Sequence, residues 1–514
     1  MLSIRRHTPT PSLWFVGAAF VPVALTILPL IYVVIRATQA GLGGIWSELI
    51  RGRTFTLLIN TVVLASSVTV GAVLIGTAAA WCVERSDLPG RRWWRAVAAL
   101  PLAVPAFVSS YTWSSIDVVF QSMPGAILVL TLASYPLVYL PVAAALRGVD
   151  SSFEDVSRSL GDGAWRTFLR ALLPQVRPAL GGGALLVLGH MLAEFGALAM
   201  LRVQTFTTAI FESYELQFDS NSAALQSAVL MALCLPAAYG EMRLRAGKRV
   251  ARVGRGSART AHKVALGHVT PFAVVGFALL ALISIGVPLA TLVYWLVQGR
   301  SIGEGYVDIW PAIEGSLTLS LSGAVLTSVL ALPLVLLAVR HRGRLSSLAD
   351  RLPYVIHGLP GVVVALALVF MAIRIMPALY QSSALLLFAY AVLFLPLAQS
   401  SLRASVELVS PQIEQVARSL GRRPLHAFLS VTLPNIAPGI GAALALMMLE
   451  IVRELTATLM LAPTGVITLA TEVWSHTSDS EYAAAAPFAA LLILVSVVPV
   501  YVFTQRLLCY GEAQ

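Results

Sequence analysis

A helix needs about 20 apolar residues to cross roughly 30 Å of hydrocarbon, and this chain offers twelve such stretches. They start near residues 14, 57, 96, 124, 179, 223, 271, 315, 353, 383, 439 and 483, and polar or Gly- and Pro-containing segments separate them. The pattern predicts an all-α fold: a polytopic membrane protein with about 12 transmembrane helices. Pro101, Pro105 and Pro360 interrupt the stretches near 96 and 353. Proline inside a span is tolerated where neighbouring helices satisfy the freed backbone groups. The apolar run 14–35 follows Arg5 and Arg6, exceeds the apolar core of a signal peptide and has no small-x-small cleavage site after it, so a retained first helix is expected.

Composition agrees with the pattern. Of 514 residues 58% are hydrophobic and only 12% charged, against about 25% charged in soluble domains. This excludes an ordinary cytosolic enzyme. The 35 Lys and Arg against 25 Asp and Glu give a net charge of +10, which in a membrane protein reflects topology and calls for no nucleic acid partner. With the N terminus inside, only Arg36, Arg51, Arg53, Arg202, Arg300, Arg374 and Arg453 lie outside cytoplasmic segments. The positive-inside rule therefore places both termini in the cytoplasm. Residues 243–263 carry eight Lys and Arg with little apolar periodicity, as a solvated basic linker does, here assigned to 241–268. Anionic lipid would also suit it. Cys82, Cys234 and Cys509 are far apart and form neither a disulfide framework nor a CxxC site.

The chain contains an internal repeat. EDVSRSLGDGAWRTFLRALLPQVRP at 154–178 and EQVARSLGRRPLHAFLSVTLPNIAP at 414–438 share eleven of 25 positions at an offset of 260. The same offset pairs Pro136 with Pro396, Glu194 with Glu454, Met200 with Met460 and Glu212 with Glu472. The expected organisation is a first repeat over 1–240 and a second over 269–514. Basic loops on the same side in both copies require an even number of crossings per repeat. Two parallel six-helix repeats result, an arrangement known among transporters.

Each repeated loop, 150–178 and 410–438, reads as a short polar helix with acidic residues at its start, a reversal at Gly161 or Gly421, and a second amphipathic run ending at Leu-Pro. A duplicated helix pair projecting from the membrane implies a partner with two copies of its docking groove.

At these residues the chain resembles the membrane subunits of bacterial ABC importers. Their signature is an E-A-A segment, a Gly seven residues after the Glu, and a later Leu-Pro. Here the segment reads Glu154-Asp155-Val156 and Glu414-Gln415-Val416, departing from both alanines, while Gly161, Gly421, Pro174 and Pro434 hold their places. The resemblance implies that the loops are coupling helices seated on a dimer of separate ATPase subunits. It also implies that ATP and Mg are bound by those subunits, with no cofactor in this chain, and that an extracytoplasmic solute-binding protein delivers the substrate. The chain has no G-x-x-x-x-G-K-[ST] loop. Neither HExxH nor a nucleophile with its base is present, so a transport subunit and not an enzyme is expected.

Two such loops in one chain resemble the fused permeases of iron(III) importers. The run 453–459, followed by Pro463-Thr464-Gly465, 468–471 and Trp474, is similar to the segment after the second loop in ferric permeases, and 193–196 to its first-half counterpart. The resemblance implies ferric iron and a bacterial inner membrane. Fused thiamine permeases and the putrescine, sulfate and aminoethylphosphonate permeases are relatives, so these solutes are the alternatives. A secondary transporter with parallel repeats, using Glu194 and Glu454 for protons, is a further reading that the duplicated loops oppose.

Few charges fall inside spans, where each costs at least about 2.5–3.5 kcal/mol on insertion scales. Glu450 and Glu454 are four apart, hence on one helical face, with Arg453 placed to pair with Glu450. At the 260 offset they correspond to His190 and Glu194. These five residues form either interhelical locks or an outer gate making transient ion contact; no metal ligand set is assigned. Tyr111, Trp113, Tyr135 and Tyr139 are expected to pack between helices or lie at the membrane interface. Glu212 and Glu472 fall in outer loops, either against a docking receptor or in solvent.

Overall fold

The computed structural model describes residues 12–39, 41–149, 152–246, 263–302, 308–341 and 343–509. Among them there is no strand, and the architecture is helical throughout. Among the described residues nine helices are long and apolar enough to cross a membrane, from Leu13–Gln39 to Pro424–Val452. The pair Arg91–Ala103 and Ala106–Ser114, bent by 84°, has the length and apolarity of a broken span or a re-entrant loop. Two shorter apolar helices, Gly361–Ile375 and Tyr482–Val497, match the remaining stretches read from the sequence.

The breaks follow from proline. A residue before proline is pushed out of the α region, and Val104, preceding Pro105, has ψ 116°. Pro105 then opens Ala106–Ser114. Pro360 does the same between Arg344–His357 and Gly361–Ile375.

The chain packs as two compact units, residues 1–42 with 310–471, and residues 43–309 with 472–514. The halves expected from the repeat, 1–240 and 269–514, are therefore not the packing units. In the first unit Trp310–Arg340, Ser383–Leu408 and Leu433–Val452 pack mutually. The first helix, Leu13–Gln39, lies along Trp310–Arg340 and Gly361–Ile375. Its Tyr32 hydroxyl donates to the Phe370 carbonyl at 3.1 Å, and its Arg36 guanidinium stands 4.9 Å over the Phe370 ring.

In the second unit Gly52–Arg85, Pro136–Gly148 and Leu173–Ala193 form the corresponding triple. A Cβ on Gly76 would come within 2.8 Å of the Tyr135 carbonyl oxygen and 2.9 Å of the Tyr139 nitrogen, so only glycine lets these backbones approach. Val287–Ile302 packs on Ala106–Ser114 and on Tyr482–Cys509, and Trp295 Nε1 donates to Ser115 Oγ at 2.9 Å. The helix that opens each sequence repeat thus packs with helices of the other repeat. The basic linker is described only at its ends, and 247–262 lie outside the described residues. Its distal end pairs with the end of Gly52–Arg85: Val264 N–H donates to Arg85 O at 2.8 Å and Asp87 N–H to Val264 O at 3.2 Å.

Candidate functional site

The two repeated loops fold alike. Ser152–Ser159 and Pro411–Ser419 are short helices with acidic residues in their first turns. Each ends in a reversal at Gly161 (φ +90°) or Gly421 (φ +86°), a region L side chains rarely adopt. A Cβ there would meet no neighbour within 4 Å, so backbone conformation and not crowding requires the glycine.

The next segment corrects the sequence reading. No separate second helix ends at Leu-Pro. Ala164–Thr167 runs through a π turn, Phe168–Leu172, directly into Leu173–Ala193, and Pro424–Ala427 does so through Phe428–Thr432 into Leu433–Val452. Pro174 and Pro434 therefore stand inside a continuous helix, in the first α turn after the π turn. Lacking an N–H, each removes an α-helical bond just where the helix widens to π.

Glu154 does not face outward. Its side chain and that of Arg85 are each 1% exposed and form an ion pair. The Arg85 guanidinium also donates to the carbonyls of Leu146 and of Val149, the latter at 3.3 Å. In the second repeat Glu414 pairs with Arg340 and accepts from Thr432 Oγ1 at 2.9 Å. Asp155 and Gln415 are not buried. The exposed face of each loop is apolar at several points: Val156, Leu160 and Trp165 in the first, Ile413, Val416, Leu420 and Leu425 in the second. Leu160 is 79% and Leu420 78% exposed.

The sequence reading missed Arg85 and Arg340 because they lie 255 apart, not 260, as do Pro105 and Pro360. A constant-offset comparison passes over them. The available signal was an arginine closing an apolar run in both copies.

The carboxylates near the ends of the long spans also differ from expectation. Leu173–Ala193 ends before Glu194, and Leu433–Val452 before Arg453 and Glu454. Glu194 thus stands at the end of its helix, still within i, i+4 reach of His190, and Glu454 lies just past the end of its own. Glu194 Oε1 accepts from Ala197 N–H at 2.9 Å at the start of Gly196–Met200. Glu454 Oε1 accepts from Ala457 N–H at 2.9 Å at the start of Thr456–Leu461. Thr207 Oγ1 donates to the Glu194 carbonyl at 2.7 Å, and Thr458 Oγ1 to that of Glu454 at 2.7 Å. His190 Nε2 stands 3.5 Å from Glu194 Oε2, and Arg453 interacts electrostatically with Glu450.

Tyr111, Trp113, Tyr135 and Tyr139 are all buried. The Tyr111 hydroxyl donates to Tyr482 O at 2.8 Å, and Trp113 packs edge-on against Phe120 at 4.7 Å. Glu212 is held by Arg53 at 2.9 Å, whereas Glu472 lies 3.6 Å from His476. The two are not structural equivalents. Thr205 with Thr208 and Thr468 with Thr471 make matching bonds at their helix starts, which sets the offset there to 263.

The family model of the binding-protein-dependent transport system inner membrane component matches the chain twice, over residues 72–239 and 334–508. The chain belongs to this family. This transport component is 44% identical over 477 residues to the Fe(3+)-transport system permease protein FbpB 2 of Haemophilus influenzae, covering 92% of this chain and 94% of that protein. It is also 26% identical over 216 residues to a probable sulfate transport system permease protein, cysT, of Chlorella vulgaris, covering 37% of this chain and 80% of the relative. The molybdenum transport system permease protein ModB of Escherichia coli K12 matches at 33% over 135 residues, 23% of this chain and 58% of the relative. As an inner membrane transport component with two copies of the family unit, the chain is a fused ABC permease, and its role is transport and not catalysis.

Proposed function

We propose that this permease carries ferric iron across the bacterial inner membrane. The observation that carries the reading is 44% identity to an Fe(3+) permease over nearly the full length of both chains. The sulfate and molybdenum relatives match smaller parts of this chain. In this reading both termini are cytoplasmic, and a solute-binding protein delivers the cargo from outside. The apolar faces around Leu160 and Leu420 seat in the grooves of an ATPase dimer, which binds ATP and Mg and drives the cycle. Closure of that dimer draws the two loops together and shifts the bundle between outward- and inward-open states. Among the described residues no group of three or more His, Cys, Asp or Glu is arranged to hold a metal, and the proposal assigns the iron no resident ligands.

The test is uptake of radiolabelled ferric iron, thiamine, putrescine, sulfate and molybdate by iron-limited cells with and without the gene. Loss of iron uptake alone is expected. Loss of another solute with iron uptake intact overturns the iron assignment.

A further inference from the structure

Both repeats build the same junction from residues far apart in sequence. In the first, Arg85 closes Gly52–Arg85, and its buried guanidinium reaches three acceptors. These are the Glu154 carboxylate on the loop helix, the Leu146 carbonyl in the last turn of Pro136–Gly148, and the Val149 carbonyl just beyond it. The last carbonyls of a helix have no intrahelical partner, so Arg85 satisfies groups that would otherwise be orphaned. A planar five-donor fork suits this task as an ammonium does not. Three elements thereby meet at one side chain: two spans and the loop helix.

In the second repeat Arg340 closes Trp310–Arg340. It pairs with Glu414 and lies 3.4 Å from Thr432 Oγ1, which itself donates to Glu414 at 2.9 Å. Thr432 ends the π turn that leads into Leu433–Val452. The acceptors differ between the copies, yet each arginine ties a span to the loop glutamate and to a second span. Charge-assisted bonds of this kind are short and strong, and buried ones are costly to break once made. A loop helix held this way moves with the spans.

We propose that Arg85 and Arg340 are positioning residues for coupling: each transmits displacement of its loop helix to the transmembrane bundle. The inference rests on the reading of the loops as ATPase docking helices. It makes Glu154 and Glu414 internal anchors, leaving the exposed apolar residues to meet the partner.

The test uses the complete complex purified with its ATPase and reconstituted with its iron-loaded binding protein. Arg85→Lys and Arg340→Lys keep the charge and lose the fork. Both variants are expected to retain membrane abundance, bound ATPase and basal ATP hydrolysis, while stimulation by loaded binding protein and iron uptake fall at least fivefold. Wild-type stimulation in both Lys variants overturns the proposal. So does a loss that follows abundance or ATPase binding, which would mark a purely structural role. Should Arg85→Lys fail to reach the membrane, the half-buried Arg340 carries the same test. Gly161→Pro with Gly421→Pro, measured in parallel, separates the two readings. Normal stimulation there sinks the docking assignment itself, whereas its loss beside intact Lys variants sinks only the role of the arginines.

Discussion

At the scale of single residues, the informative groups are carboxylates whose surroundings assign them unexpected work. Glu194 and Glu454 are charges at the ends of spans, where charge is expensive. Each sits in the gap between a long helix and a short one and accepts the N–H of Ala197 or Ala457. An anion at a helix N terminus is stabilised by the unpaired N–H groups and the helix dipole. A Cβ on Gly361, at the start of another helix, would approach Glu454 Oε1 to 3.3 Å, so that carboxylate lies near a second helix N terminus. A capping role needs an acceptor and not a titrating proton. Glu454→Gln is therefore expected to retain most iron uptake, while Glu454→Ala loses the cap and about 1 kcal/mol of stability. Uptake together with thermal melting of the purified complex checks this. Complete loss of uptake in Glu454→Gln at normal stability would instead assign the carboxylate to protons or cargo. The sequence made these residues visible as charges; it did not reveal the helix break that turns them into caps.

At the scale of elements, the loop hairpins were legible and their exits were not. Acidic first turns and the shared glycine announce a short helix and a reversal, and Gly161 and Gly421 have the positive φ that such a reversal needs. Proline locks φ near −65° and cannot take their place. Gly161→Pro with Gly421→Pro should accordingly abolish stimulated ATP hydrolysis and leave insertion of the spans intact, as read by ATPase assay and by membrane abundance. The Leu-Pro pair, by contrast, looks like an ending in one dimension. The backbone passes through it by widening to a π turn in both copies, which keeps loop and span in one continuous rod. That continuity gives a displaced loop helix a direct mechanical route into Leu173–Ala193 or Leu433–Val452. The bent pair at Pro105 shows the opposite outcome, with an 84° break where proline follows an extended residue.

At the scale of the whole molecule, the repeats of the sequence and the units of packing are different divisions. Leu13–Gln39 packs among helices of the second repeat, and Val287–Ile302 and Tyr482–Cys509 among those of the first. Cutting the chain with a protease site placed within residues 247–262 should therefore leave two fragments that stay together in mild detergent. Separation of the fragments on size-exclusion chromatography would contradict that packing. The number and position of the apolar stretches, the duplication and the loop hairpins are all written in the order of residues along the chain. These follow from local matters: how many apolar residues cover the hydrocarbon, and which residues reverse a helix. Tertiary structure alone decided which helices share a unit, that Arg85 and Arg340 hold the loop glutamates, and that Glu194 and Glu454 cap short helices. Lipid solvates every apolar face about equally, so hydrophobicity cannot choose a helix's neighbour. The choice falls to close backbone approach, as at Gly76, and to polar groups that must find partners across many residues of chain.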